Sequence, residues 1–202
     1  MNSDHVLAEV AAFYHARLVA PGPAAREAAC ASPEARALRL EMLCRVGDLA
    51  GIVGDYGCGA GTLLPLLRAR GFSGEYRGYD MVPSVIIAAR SRHAADAQAR
   101  FSSDESVLTG VDYVLANGIF NVKLATPTPD WEASIRVTLD RLASLARRGF
   151  AFNLLSVTGQ RRPDLYHAEP RRFLDFCQRR YSREATLVAG YGLDEFTILV
   201  RR

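Results

Sequence analysis

Lysine is nearly missing from this 202-residue sequence: Lys123 stands alone, and every other cation among the 25 basic residues is arginine. The net charge of +3 is too small for a general binder of nucleic acid or membrane surfaces. No uninterrupted apolar run approaches the roughly 18 residues that a membrane-spanning helix needs. The start, Met1-Asn2-Ser3-Asp4-His5, lacks a basic segment followed by an apolar block, which argues against secretion. Cysteine is sparse, and Cys30, Cys44, Cys58 and Cys177 form no CxxC pair, which argues against both a zinc site and a disulfide scaffold. Repeats, low-complexity segments and long linkers are missing too. What is there, 49% hydrophobic and 23% charged residues, is the balance of a globular chain. Two domains of about 100 residues each would have marginal cores, so one domain over 1–202 is expected, reduced and cytoplasmic, as a monomer or homodimer.

Charge is unevenly spread. Residues 141–183 carry ten arginines against Asp164, Glu169 and Asp175, whereas residues 1–140 sum to −3. Within the basic stretch, Arg171-Arg172 and Arg179-Arg180 flank Phe173, Phe176 and Cys177, which share one helical face; the arginines read as the solvated side of that helix.

Residues 1–50 read as a helical cap. Val6, Val10, Phe13, Tyr14 and Leu18 recur at helical spacing, and Pro21-Gly22-Pro23 ends that helix. A second helix is expected from Ser32, as N-cap ahead of Pro33, to about Asp48, with Leu38, Met42 and Leu43 on one face. From residue 51 short strands and helices alternate. Strands are expected over Gly51–Tyr56, Glu75–Asp80, around Phe101, and over Val111–Asn117, Phe150–Val157, Ala185–Ala189 and Phe196–Val200. Helices are expected over Thr62–Arg70, from Pro83 to about His93, from an Asp130 cap to near Arg148, and from Pro170 to about Arg180. Such alternation implies an α/β fold with a mostly parallel sheet, helices on both faces, and ligands at the carboxyl ends of the strands.

One motif carries the chemistry: Asp55-Tyr56-Gly57-Cys58-Gly59-Ala60-Gly61-Thr62, where a strand passes into a helix. Counting from Gly57, the third glycine of a dinucleotide GxGxxG would fall on Thr62, and the Gly-Lys-Ser/Thr of a phosphate-binding loop is missing. What remains is acid-x-Gly-x-Gly-x-Gly. A carboxylate one step ahead of the turn repels a pyrophosphate and suits a ligand bearing an ammonium or sulfonium group.

With these residues the sequence resembles the class I S-adenosylmethionine-dependent methyltransferases, over roughly residues 51–202. The resemblance implies a Rossmann-like seven-stranded sheet whose last strand is antiparallel. It also implies S-adenosyl-L-methionine as cofactor and S-adenosyl-L-homocysteine as product. Asp55, Gly57, Cys58, Gly59 and Gly61 would form the cofactor turn. Asp80, 23 residues after Gly57, matches the acid that binds the ribose hydroxyls. Met81 would flank the adenine, and Asp104 would lie near its amino group. Asn117 and Gly118, leaving the fourth strand, would line the methyl-transfer face.

More narrowly, Phe13-Tyr14, Arg39, Asn117–Asn121, Phe150–Asn153 and Gly192–Phe196 look like a small bacterial subgroup found beside biosynthetic genes. In that subgroup the N-terminal helices fold over the cofactor, which makes Tyr14 and Arg39 candidate contacts to the methionine carboxylate or the pocket roof.

Displacement at a sulfonium needs chiefly alignment, worth roughly 7–11 kcal/mol, while a general base adds about 10²–10⁴-fold where the acceptor must lose a proton. Acceptor-side candidates are Asn117, Phe120, Asn121, Asn153, Tyr166 and His167, with His167 the candidate base. The run after the fourth strand lacks the prolines of amide and adenine N-methyltransferases. Asn117 and Asn153 have no neighbouring carboxylates, so no metal is expected. The resulting expectation is O- or N-methylation of a small molecule in a biosynthetic pathway, with no nucleic-acid or membrane partner. Three alternatives stay open: a cyclase or lyase releasing methylthioadenosine, an RNA-binding methyltransferase, and a non-catalytic cofactor-binding protein.

Overall fold

A computed structural model describes residues 12, 13, 16, 32–159 and 162–202. Ala12, Phe13 and Ala16 are helical; the rest of the first expected helix, Tyr14 included, lies outside the described residues, as does the Pro21-Gly22-Pro23 break. Helix α1 spans Pro33–Cys44, and the Ser32 hydroxyl accepts the Ala35 amide at 3.1 Å. Pro33 opens it because an N–H in the first turn finds no acceptor within the helix, so the one that proline lacks is not missed. The helix stops short of the expected Asp48. The carbonyls of Arg45 and Val46 are taken instead by the Arg201 guanidinium at 2.8 and 3.0 Å.

The alternating core follows: β1 (Ile52–Tyr56), α2 (Leu63–Ala69), β2 (Glu75–Tyr79), α3 (Pro83–Arg92), β3 (Ala99–Ser102), a 3₁₀ turn (Glu105–Leu108) and β4 (Val111–Ala116). Then come α4 (Thr128–Leu145), β5 (Ala146–Ser156), β6 (His167–Ala168), α5 (Pro170–Arg180), β7 (Thr186–Ala189) and β8 (Glu195–Arg201). The strand order is β3-β2-β1-β4-β5-β8-β7, with β6 paired to β5. Strands β1 to β6 run parallel, while β8 is antiparallel to both β5 and β7. The sheet is therefore the expected one, with the two-residue β6 as an addition to the expected seven strands.

Both ends of α4 also move. Helix α4 begins at Thr128 rather than at an Asp130 cap, because Pro129 presets its first turn and the Pro127 carbonyl already accepts the Trp131 amide at 3.0 Å. It ends at Leu145 rather than near Arg148, since Ala146 enters β5 directly opposite Val111 of β4.

Period-two alternation distributes the core between the two faces of the sheet. Val114, Ala116, Phe150, Phe152, Phe196 and Ile198 pack under α4 and α5, through Trp131, Ile135, Leu139, Phe173 and Cys177. Val53, Tyr76, Tyr113, Leu115, Ala151 and Leu199 pack with α1, α2 and α3, through Leu40, Leu43, Leu63, Leu67 and Ile86. Along β5 and β8 the α1 face also carries buried polar residues, Asn153, Glu195 and Thr197. No described helix is long and apolar enough to cross a membrane.

Candidate active site

The glycine turn leaves β1 at the carboxyl edge of the sheet, beside the end of β2. The amides of Gly57 and Cys58 both donate to the Tyr79 carbonyl, at 2.8 and 2.9 Å, which pins the turn against the last residue of β2. Gly57, Gly59 and Gly61 have φ of +77°, +53° and +71°, the left-handed region that glycine enters without strain. Their surroundings differ. A Cβ on Gly57 would meet Ile119 Cγ2 at 2.3 Å, and one on Gly61 would meet His93 and Phe101 at 2.8 Å. Around Gly59 a Cβ would find nothing within 4 Å: the turn is open there.

Asp80 stands over that opening. One carboxylate oxygen accepts the Gly59 amide and the other the Val82 amide, each at 3.0 Å. A carboxylate has about four lone-pair positions, so two remain for further donors. Burial raises its pKa, and the two amide bonds oppose that. Met81 beside it is 37% exposed, a large apolar residue left at the surface next to Asp80.

Asp55 sits differently. It points into the α1 face of the sheet, 4% exposed, and accepts the Tyr76 hydroxyl. Burial lifts its carboxyl to about 7, opposed by the Tyr76 hydrogen bond and reinforced by the charge of Asp80. The Cys58 thiol is buried beside it and pushed far up by desolvation, so it is an unreactive packing group. Asp104 caps the 3₁₀ turn, accepting the Ser106 amide at 2.9 Å, and lies exposed at the exit of β3.

On the other flank of β1, the exit of β4 carries Asn117 and Gly118. Gly118 has φ of +72°, and its amide donates to Asn153 Oδ1 at 2.7 Å. Asn153 Nδ2 donates to Glu195 Oε2 at 2.9 Å, and Arg39 Nε reaches both oxygens of Glu195 at 2.7 Å. The amide oxygens of Asn117 and Asn121 are buried and have no hydrogen-bond partner among the described residues. Phe120 is buried against Phe152, and its carbonyl accepts the indole N–H of Trp131 at 3.0 Å.

Tyr166 donates its amide to the Asn121 carbonyl at 2.8 Å and its hydroxyl to the buried Glu132 at 3.0 Å. His167 enters β6 and lines an open cleft of about 500 Å³ with Lys123, Thr128, Arg162 and Tyr166. The structure thus gathers the glycine turn, Asp80 and Met81 on one side of β1, and Asn117 and Gly118 on the other. Tyr166 and His167 lie on the β4 side of β5, past the end of β4, because the other edge of Leu155 is taken by Glu195 of β8; Asp104 lies beyond β2, and Tyr14 is outside the described residues.

Sequence reasoning passes over two contributors. His93, just past α3, places Nε2 3.1 Å from the Ala60 carbonyl and stacks on Phe101, bracing the turn from outside. Glu195 is visible in the sequence only as part of the Gly192–Phe196 segment. A polar residue opening an apolar strand is its single local signal. Among the described residues, no three His, Cys, Asp or Glu side chains gather as metal ligands.

Comparison with known proteins agrees with this geometry. No family model matches the chain. A Mycobacterium tuberculosis protein provisionally named as a methyltransferase, Rv1506c, is 45% identical over 153 residues, covering 74% of this chain and 92% of its own length. Magnesium protoporphyrin IX methyltransferase (ChlM) from Synechocystis PCC 6803, solved with bound SAH, superposes with a TM-score of 0.57 at 20% identity, over 81% of this chain and 80% of its own. Human N-acetylserotonin methyltransferase, solved with SAM, gives 0.60 at 16% identity over 81% of this chain and 51% of its own. The methyltransferase domain of bacterial CtHen1 gives 0.56 at 17% identity over 83% of this chain and 99% of its own. Fold, glycine turn and a relative of this identity converge: the chain belongs to the class I S-adenosylmethionine-dependent methyltransferase family.

Proposed function

We propose that the chain methylates a small molecule at nitrogen or oxygen, with S-adenosyl-L-methionine as methyl donor. The observation that carries this reading is the open turn at Gly59 under a carboxylate with unused lone pairs. A side chain at Gly59 would fill that space, and Asp80 can accept two further donors, as the adjacent hydroxyls of a ribose require. The residues present therefore fit the nucleoside. Asp80 would hold the sugar, Met81 would flank the base, and Asp104 would lie on the base side of the site. Gly57, Gly59 and Gly61 would admit the backbone-close approach. When bound, the cofactor supplies a methyl group on a sulfonium that leaves as a neutral thioether.

The protein's own part is alignment, worth roughly 7–11 kcal/mol when reacting atoms are held in line. Asn117 and Asn121 each bring a buried amide oxygen without a donor, which supports an acceptor carrying N–H or O–H groups. A buried acceptor atom left unpaired costs about 1–3 kcal/mol, and a bound amine or hydroxyl would relieve it. His167, in the cleft past the end of β4, is the candidate to take the acceptor's proton. Tyr166 steadies the segment bearing it, through its bonds to Asn121 and Glu132.

A small acceptor is favoured over RNA by the state of the arginines on α5. Arg172 pairs with Glu132 at 2.8 Å and Arg180 with Asp140 at 3.1 Å, so acids of α4 offset this part of the positive stretch. Titration calorimetry with S-adenosyl-L-homocysteine tests the reading. Binding is expected in the wild type, and Asp80→Ala should weaken it by about 1–3 kcal/mol through two lost hydroxyl contacts. No binding by the wild type overturns the proposal, and unchanged affinity in the variant overturns the ribose assignment. Label from the donor should pass into the filterable small-molecule fraction of a cell extract rather than into its RNA.

A further inference from the structure

Three polar side chains that touch no proposed ligand group form a continuous line across the α1 face of the sheet. Asn153 lies in β5 and is 0% exposed; Glu195 opens β8 and is 4% exposed; Arg39 comes from α1. Each bond has a direction that its neighbours enforce. Asn153 must turn its oxygen to the Gly118 amide and its NH₂ to the Glu195 carboxylate. A flipped amide would set donor against donor at one end and acceptor against acceptor at the other. Glu195, nearly without solvent, is compensated by the fork of Arg39 and the Asn153 amide.

Buried ionic groups of this kind are commonly replaceable by apolar ones without loss of stability. The far end of the line offers a reason for this one. It terminates on the backbone of Gly118, a left-handed residue in the turn that leaves β4. That turn also carries Asn117, with its unpartnered amide oxygen.

We infer that Arg39, Glu195 and Asn153 are positioning residues that set the Asn117–Gly118 turn for ligand binding, acting through one another rather than by touching a ligand. The Arg39 guanidinium, which the subgroup resemblance directs to the methionine carboxylate or the pocket roof, serves this line through Glu195. The inference rests on the methyl-donor reading above, because the Asn117–Gly118 turn leaves β4 where the family resemblance sets the methyl-transfer face, next to the bound donor.

The test moves the carboxylate by one residue along the line. Asn153→Asp keeps the acceptor for Gly118 but sets two carboxylates against each other. Asn153→Asp with Glu195→Gln restores the net charge and the donor–acceptor pair between these two positions, since the new glutamine amide can donate to the new aspartate while its oxygen still accepts from Arg39; only the second Arg39 contact is given up. Affinity for S-adenosyl-L-homocysteine is measured by calorimetry well below the thermal midpoint of each variant. The single variant should bind at least tenfold more weakly, and the double variant should return to within threefold of the wild type. Asn153→Leu, if folded, should bind about tenfold more weakly. Unchanged affinity in the Asp or Leu single variant overturns the inference. A double variant that regains its thermal midpoint but not its affinity also overturns it, because the line would then serve only the scaffold. If the wild type fails to bind, it is the methyl-donor reading that falls, and the inference with it.

Discussion

Burial of Asp55 beneath the glycine turn lifts its carboxyl from 3.8 to about 7, and this has a consequence for stability. The folded chain holds a proton on Asp55 between about pH 4 and 7 that the unfolded chain has released. The contribution of Asp55 to stability is therefore fullest below the unfolded value, falls as pH rises through this window by up to about 1.4 kcal/mol per pH unit, and levels off above about 7. Asn at this position mimics the protonated form. Urea denaturation of Asp55→Asn and wild type should give similar stabilities near pH 4 and a more stable variant at pH 8. Parallel curves across that range would show that Asp55 is ionised in the fold. From the sequence, Asp55 reads as a carboxylate facing a cationic ligand. Its Tyr76 partner, 21 residues away on β2, is what shows the side chain turned inward.

At the scale of elements, the glycine turn separates two demands that one motif carries. An alanine at φ near +55° or +75° costs roughly 1–2 kcal/mol wherever it sits. Gly57→Ala adds the collision with Ile119, so it should destabilise the chain beyond that range in urea denaturation. Gly59→Ala meets no protein atom, so its stability loss should stay near 1–2 kcal/mol, while S-adenosyl-L-homocysteine binding should fall at least tenfold. Equal binding by Gly59→Ala and the wild type would place the ligand elsewhere. The turn was legible because its chemistry is local: glycine spacing, a strand before, a helix after; Asp80 was legible through the family resemblance. The line from Gly118 to Arg39 was not. Its members are separated by 35, 42 and 156 residues, and neither Asn153 nor Glu195 carries a local pattern that names its partner.

For the whole molecule, the site couples to global stability. The glycine turn, Asp80 and the β4 exit come from β1, β2 and β4, which form the middle of one sheet packed on both faces. Unfolding scatters all three. Ligand at 100 times its dissociation constant should therefore stabilise the fold by about 2.7 kcal/mol. For a chain of this length that is a rise of roughly 5–11 °C in thermal midpoint. Differential scanning fluorimetry with S-adenosyl-L-homocysteine checks it, and no shift at saturating ligand would contradict a site built from the native sheet.

The order of strands and helices and the glycine turn were readable in the amino-acid order, while the antiparallel last strand and the part of Asp80 came with the family resemblance. Period-two and helical spacing, glycine and proline act over a few residues, and they act the same way in any chain. Tertiary structure decided the rest: that Asp55 is buried, that Tyr166 gives its hydroxyl to Glu132, that Arg172 and Arg180 lean on α4, and that Arg39 meets Glu195. Each of these depends on which distant side chain arrives within hydrogen-bonding reach, and on how much water is removed around it. Both follow from the packing of α1, α4 and α5 on the sheet, not from any local stretch of sequence.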